Sequence, residues 1–198
     1  MSLILGLTGS IGMGKSTTAQ IFRDAGVPVW DADASVHRLY APGGGAVAPI
    51  AALHPAASRN GTIDRAALRD WIAADASALR KIEAIVHPLV AQDRRLFLNR
   101  HTAAPLVVLD IPLLFETGGD RACDATLVVS APPEVQRARV LERPGMTEAH
   151  FQTILAKQTP DAEKRASATH VIETRTLDQT RADVLALIAR LTGPETNA

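Results

Sequence analysis

Residues 3–16 read Leu3-Ile4-Leu5-Gly6-Leu7-Thr8-Gly9-Ser10-Ile11-Gly12-Met13-Gly14-Lys15-Ser16. Leu3–Leu7 is an apolar run of strand length. Gly9–Ser16 satisfies the pattern G-x-x-x-x-G-K-[ST] where its mechanism requires it, directly after a strand and at the opening of a helix. Glycines let backbone donors converge on phosphate oxygens with no Cβ in the way, and the helix N-terminus adds a partial positive charge. Lys15 can reach the β- and γ-phosphates of a nucleotide, and the Ser16 hydroxyl can ligate Mg²⁺. The stretch predicts a phosphate loop seated on an α/β sheet.

Further apolar runs bounded by turn residues follow at Val27–Trp30, Leu106–Leu109, Thr126–Val129 and His170–Ile172. Helical patterns separate most of them, which predicts βαβ units around a five-stranded parallel sheet flanked by helices. Central strands of such a sheet are covered on both faces and so read as unbroken Val/Leu/Ile runs. The interval from residue 31 to 105 is longer than one crossover needs. It predicts a largely helical insertion with loops around Pro42–Gly45 and Pro55–Gly61. Asp64 is placed to cap a helix through Ala74, and Ser77 to cap another with the stripe Leu79, Ile82, Ile85, Val86, Leu89 and Val90, which Pro88 should kink or restart. After the fourth run, Pro133 suits the first turn of a helix that Pro144-Gly145 stops at Arg143; Thr147 and Thr159-Pro160 can each begin another. Leu177, Val184, Leu185, Ile188 and Leu191 give an amphipathic closing helix, with fraying expected past Gly193.

Composition narrows the function. Among 198 residues, 21 Lys and Arg balance 21 Asp and Glu, and aromatic residues make up 4%. A dedicated nucleic-acid binder advertises a basic face and stacking aromatics, so that class is set aside. The single cysteine, Cys123, excludes an intramolecular disulfide and a multi-Cys zinc site. No apolar run approaches the roughly 20 residues of a membrane span, and Leu3–Leu7 is short and lacks a preceding cation for a secretory signal. The expectation is a soluble cytoplasmic protein with no nucleic-acid or membrane partner; the sequence leaves its oligomeric state open.

A phosphate loop alone does not separate kinase, GTPase and ATP-driven motor. The guanine-reading pattern N-K-x-D is absent. Leu106–Asp110 reads as a buried strand ending on a carboxylate, so Asp110 is either a metal-side acid beside Ser16 or a turn residue. Asp31-Ala32-Asp33 directly follows the second strand, near the mouth where open α/β sheets bind ligands. Asp33 and His37, four apart, share a face if a helix begins there. A carboxylate in that place can orient an acceptor hydroxyl and take its proton, or it can cap the helix; spacing alone does not choose.

Several segments occur together in order: the N-terminal phosphate loop, Asp31-Ala32-Asp33, His87-Pro88-Leu89-Val90, Ile111-Pro112-Leu113-Leu114-Phe115-Glu116, and an arginine-bearing segment before Gln158. Across most of its length the chain thereby resembles the dephospho-coenzyme A kinases. The resemblance implies three parts: a nucleotide-binding core (1–30, 104–136 and 163–198), a helical acceptor domain (31–103) and a lid (137–162). It implies transfer of the γ-phosphoryl of ATP, with Mg²⁺, to the ribose 3′-hydroxyl of dephospho-CoA, giving CoA and ADP in the last step of CoA synthesis. Gly12, Met13, Gly14, Lys15, Ser16 and Thr17 match the family's ATP loop. Asp33 matches its catalytic base, which would act with Lys15 and Arg139. Arg139 and Arg143, four apart on one helix face, match lid arginines that can grip phosphates, a solvated face being the bland reading. His37, His87, Leu113 and Phe115 fall on the acceptor side, although His87 also reads as a structural histidine before a kink and Leu113–Phe115 as strand-end packing. Where the family tends to carry an Asn-containing turn, this chain reads Glu173-Thr174-Arg175. The competing readings are another small-molecule kinase of the nucleoside-monophosphate-kinase type and a non-catalytic, ATP-gated regulatory module.

Overall fold

All five apolar runs form strands in the computed structural model, which describes residues 2–193. From the N-terminus, β1 (Leu3–Thr8) leads through the phosphate loop into α1 (Lys15–Asp24), and β2 (Val29–Asp31) leads into α2 (Ala32–Tyr40). The insertion continues with α3 (Val47–Leu53), a ribbon of β3 (Ser58–Arg59) and β4 (Thr62–Ile63), α4 (Arg65–Ala74) and α5 (Ala78–Arg100). The chain then returns as β5 (Leu106–Asp110), β6 (Ala125–Ser130), α6 (Pro133–Leu141), α7 (Glu148–Leu155), α8 (Asp161–Ser167), β7 (His170–Glu173) and α9 (Leu177–Thr192). Among the described residues no helix is long and apolar enough to cross a membrane.

The main sheet has the order β2-β5-β1-β6-β7. β1 is central: it runs parallel to β5, with Leu5 opposite Val108, and parallel to β6, with Leu7 opposite Leu127. β7 extends the sheet by parallel pairing with β6. Leu5, Leu7, Val108, Leu127 and Val129 turn one sheet face onto Ile21 and Phe22 of α1 and Val184 and Leu187 of α9. Val107, Leu109 and Val128 are equally buried on the alternate positions, so both faces are covered and the strands carry no polar alternation. Each such side chain contributes about 1.5–3 kcal/mol through burial. Because the strand order reverses about β1, its C-terminal end is the switch point where sheets of this kind open a ligand crevice.

The chain divides into two units, one holding the residues up to Trp30 and from His101 onward, the other Asp31–Arg100. The second has its own core of Ile50, Ile63, Leu68, Trp71, Ile82 and Val86. Asp64 caps α4 as expected, its Oδ1 accepting from the N–H groups of Ala66 and Ala67, which hold its carboxyl below the usual carboxylate range.

Several local expectations need correction. α5 runs through Pro88 without restarting; burial of Ile82 and Val86 on one face offsets the few kcal/mol of one lost donor and one crowded turn. Ser77 stands at the start of α5, its carbonyl accepting the Lys81 N–H at 3.1 Å, while its hydroxyl donates outward to Asp75 Oδ1 at 2.6 Å. The loop at residues 55–61 contains a hairpin whose turn, Asn60-Gly61, has positive φ at both residues, the geometry that Asn-Gly favours. α6 ends at Leu141, two residues early, which leaves Arg143 exposed and outside the helix. On α9 the buried face is Thr180, Val184 and Leu187, while Leu177 and Leu185 are exposed. The expected fraying past Gly193 lies outside the described residues.

Candidate active site

The phosphate loop leaves β1 and turns twice through left-handed glycines, Gly12 at φ 79° and Gly14 at φ 85°. Gly14 is also the N-cap of α1, and a Cβ there would lie 2.9 Å from Thr174 Oγ1. Both the backbone sign and the space therefore exclude other residues. The first bond into α1 is Thr18 N–H to Gly14 O at 3.0 Å, and no acidic residue occupies the first turn. The N–H groups of Lys15, Ser16 and Thr17 precede that bond, so the dipole end of α1 is presented as an anion site. Ser16 and Thr17 are exposed, whereas the Met13 side chain is buried, its sulfur accepting the Ala131 N–H. Met13 thus serves the loop only through its backbone.

Lys15 Nζ pairs with Asp110 Oδ1 at 2.6 Å, with side-chain exposures of 16% and 3%. The end of β5 thereby fixes the ammonium beside the loop, and Asp110 is no mere turn residue. Among the described residues no group of three or more His, Cys, Asp or Glu could hold a metal by itself.

Side chains from distant elements brace the loop. Gln136 Nε2 donates to Ile11 O at 2.7 Å, and Gln158 Oε1 accepts the Ile11 N–H at 3.1 Å. The Thr174 hydroxyl donates to Met13 O at 2.9 Å, so the turn that departs from the family pattern supports the loop. Arg139 donates through Nη1 to Thr174 Oγ1 at 3.0 Å and through Nη2 to Thr174 O at 2.6 Å. Its guanidinium is thus tied to the turn after β7, while Arg143 stands exposed.

The segment after β5 divides its side chains. Leu114 is fully buried, Leu113 is 41% exposed and Phe115 is half-buried, so packing takes Leu114 and leaves Leu113 and Phe115 near the surface. Glu116 Oε1 accepts the Thr159 N–H at 2.9 Å and lies 2.8 Å from Nζ of the wholly buried Lys164. Burial pushes the Glu116 carboxyl up, but Lys164 and the Thr159 N–H outweigh it and hold it below its ordinary value.

Within the unit Asp31–Arg100, Asp31 takes the capping role: its Oδ1 accepts the Ala34 N–H at 2.9 Å. Asp33, in the first turn of α2, is left exposed on the helix that also carries exposed His37. His37 Nδ1 lies 3.5 Å from Arg65 Nη2, and Arg65 sits 5.9 Å from the Tyr40 ring centroid. His87 is exposed on α5. Gln136, Gln158, Thr174, Glu116 and Lys164 carry no role in the sequence reading; the signs were that Gln158 and Glu116 sit in its landmark segments and Thr174 in the turn that departs from the family pattern.

A parallel sheet in this order, carrying a glycine-turned loop with its lysine at the C-terminal end of the central strand, is the fold of a phosphate-loop nucleotide-binding protein. A model of the family described as dephospho-CoA kinase matches residues 3–179. The dephospho-CoA kinase of Jannaschia sp. is 67% identical over 97% of this chain and 98% of its own length. That of Cereibacter sphaeroides is 64% identical, covering 94% of each chain. A crystal structure of a Thermus thermophilus protein superposes with a TM-score of 0.82 at 39% identity, over 97% of this chain and 99% of that one. The chain belongs to the dephospho-CoA kinase family.

Proposed function

We propose that the protein transfers the γ-phosphoryl of ATP to the ribose 3′-hydroxyl of dephospho-CoA, yielding CoA and ADP in the cytoplasm. The observation that carries this is the anchored cation at the dipole end of α1: Lys15 held at 2.6 Å by Asp110 beside the unpaired first turn that Gly14 opens. Phosphoryl transfer asks for little covalent chemistry from a protein. It asks for positioned charge at the migrating phosphoryl group and an oriented nucleophile.

Gly12–Thr17 bind the phosphates by backbone donors, and Lys15 follows the charge that develops between the β- and γ-phosphates. Asp33, freed of capping by Asp31, orients the acceptor hydroxyl and takes its proton as the new P–O bond forms and the γ–β bridge bond breaks. His37, His87, Leu113 and Phe115 contact the acceptor. Residues 137–162 form the lid, in which Arg139 and Arg143 grip the phosphates. Ser16 and Asp110 would hold Mg²⁺ through one hydroxyl and one carboxylate. When bound it neutralises phosphate charge during transfer.

ADP release measured with ATP alone, with dephospho-CoA and with other nucleosides tests the proposal. Release that depends on dephospho-CoA is the expected result. Turnover only with other acceptors would assign a different small-molecule kinase, and ATP binding without turnover would assign a regulatory module.

A further inference from the structure

We infer that Gln136 and Gln158 are positioning residues that aim the phosphate loop's backbone donors, and so couple the lid stems to nucleotide binding. The inference rests on the phosphate-loop function proposed above. Both side chains act on one residue. Gln158 takes the Ile11 N–H and Gln136 takes the Ile11 carbonyl, so each fixes one of the two peptide planes flanking Ile11.

A trans peptide holds its C=O and N–H in opposite directions. Holding the Ile11 carbonyl toward Gln136 therefore turns the Gly12 N–H away from α6. Holding the Ile11 N–H toward Gln158 likewise sets the Ser10 carbonyl, which closes the next turn by accepting the Met13 N–H at 3.1 Å. Packing enforces the same geometry: a Cβ on Gly12 would meet Val140 Cγ2 at 2.5 Å and the Gln136 carbonyl at 2.9 Å, so α6 lies directly on the loop.

The two glutamines sit at the two ends of one excursion. Gln136 immediately precedes the proposed lid, residues 137–162, and Gln158 lies near its return. The return stem is further fixed by Glu116, which takes the N–H of the adjoining Thr159 and faces Lys164 of α8. Gln136 is itself 6% exposed, which holds its amide in one place. A shift of either stem is thus a rotation of a loop peptide.

The experiment compares the polarity of the two bonds. A backbone N–H needs an acceptor and a carbonyl needs a donor, so glutamate serves at position 158 and fails at position 136, although both substitutions add the same charge beside Ile11. Kinetics of acceptor-dependent ADP release and calorimetric titration with ADP are measured for wild type, Gln136→Met, Gln158→Met, Gln136→Glu and Gln158→Glu, with melting temperatures for each. Each methionine variant should raise the ATP KM and the ADP Kd roughly fivefold, as for loss of one neutral hydrogen bond, with the dephospho-CoA KM unchanged. Gln158→Glu should bind ADP at least several-fold tighter than Gln136→Glu. Folded methionine variants with wild-type ADP affinity overturn the inference. So do equal losses in the two glutamate variants, which decide the matter if a methionine variant does not fold. A wild-type protein that fails to bind ADP would instead overturn the phosphate-loop function itself.

Discussion

Replacing Glu116 by glutamine should cost more stability than a surface substitution by a wide margin. The reason lies in its partner: the Lys164 side chain is 0% exposed, while Glu116 retains 16%. Glutamine keeps an oxygen for the Thr159 N–H but leaves the ammonium buried without its counter-charge, a situation that typically costs about 3–5 kcal/mol. Lys164→Met removes the buried charge and leaves Glu116 in partial contact with water and still bonded to Thr159, so its cost should be the smaller of the two. The double variant should then be more stable than Glu116→Gln alone, with a coupling of roughly 1–3 kcal/mol. Urea denaturation at neutral pH reads all three differences. The Glu116 carboxyl is held below its ordinary value, so the native state binds fewer protons than the unfolded chain between the two values. The contribution is fully present above the unfolded carboxylate range and is lost as pH falls through the native value. The gap between wild type and Glu116→Gln should therefore narrow in acid. A Glu116→Gln cost below about 1 kcal/mol, in the range of an exposed pair, or strict additivity in the double variant would refute the buried-pair reasoning.

Lys15→Ala should leave the fold intact and reduce turnover by at least 10²-fold, on the scale of losing one preorganised charge-stabilising donor; a near-wild-type rate would contradict its role. Asp33→Asn should bind ATP normally and lose about 10²–10⁴-fold in turnover, whereas Asp31→Asn should lose less, since asparagine also caps helices well; more than about a tenth of wild-type turnover in Asp33→Asn removes the base assignment. Joint replacement of Arg139 and Arg143 by alanine should raise the ATP KM and lower kcat, with Arg139 contributing more because it also holds the Thr174 carbonyl at 2.6 Å; unchanged kinetics would return both to solvent-facing roles.

The strands were legible because a parallel sheet covered on both faces demands apolar runs, and Leu106–Asp110 or Ala125–Ser130 contain little else. The phosphate loop was legible because its glycines answer to backbone geometry. The hairpin at Ser58–Ile63 was missed despite Asn60-Gly61, since strands of two residues show no alternation. Pro88 misled because tertiary burial on α5 outweighs a local penalty. The braces on the loop were illegible for a different reason: Gln136, Gln158 and Thr174 bond to main-chain atoms 125, 147 and 161 positions away. A backbone partner leaves no residue type to recognise and no spacing to count.

The central place of β1 also orders events during synthesis. The strand and its loop are made first, yet β5, which flanks β1 and supplies Asp110, is made about ninety residues later, Lys15 and Asp110 being 95 positions apart. The last brace, Thr174, arrives 161 positions after the carbonyl it holds. Contacts so distant along the chain form late and slowly. A polypeptide that stops before β7 carries the whole nucleotide motif without the Thr174 hydroxyl that holds the Met13 carbonyl.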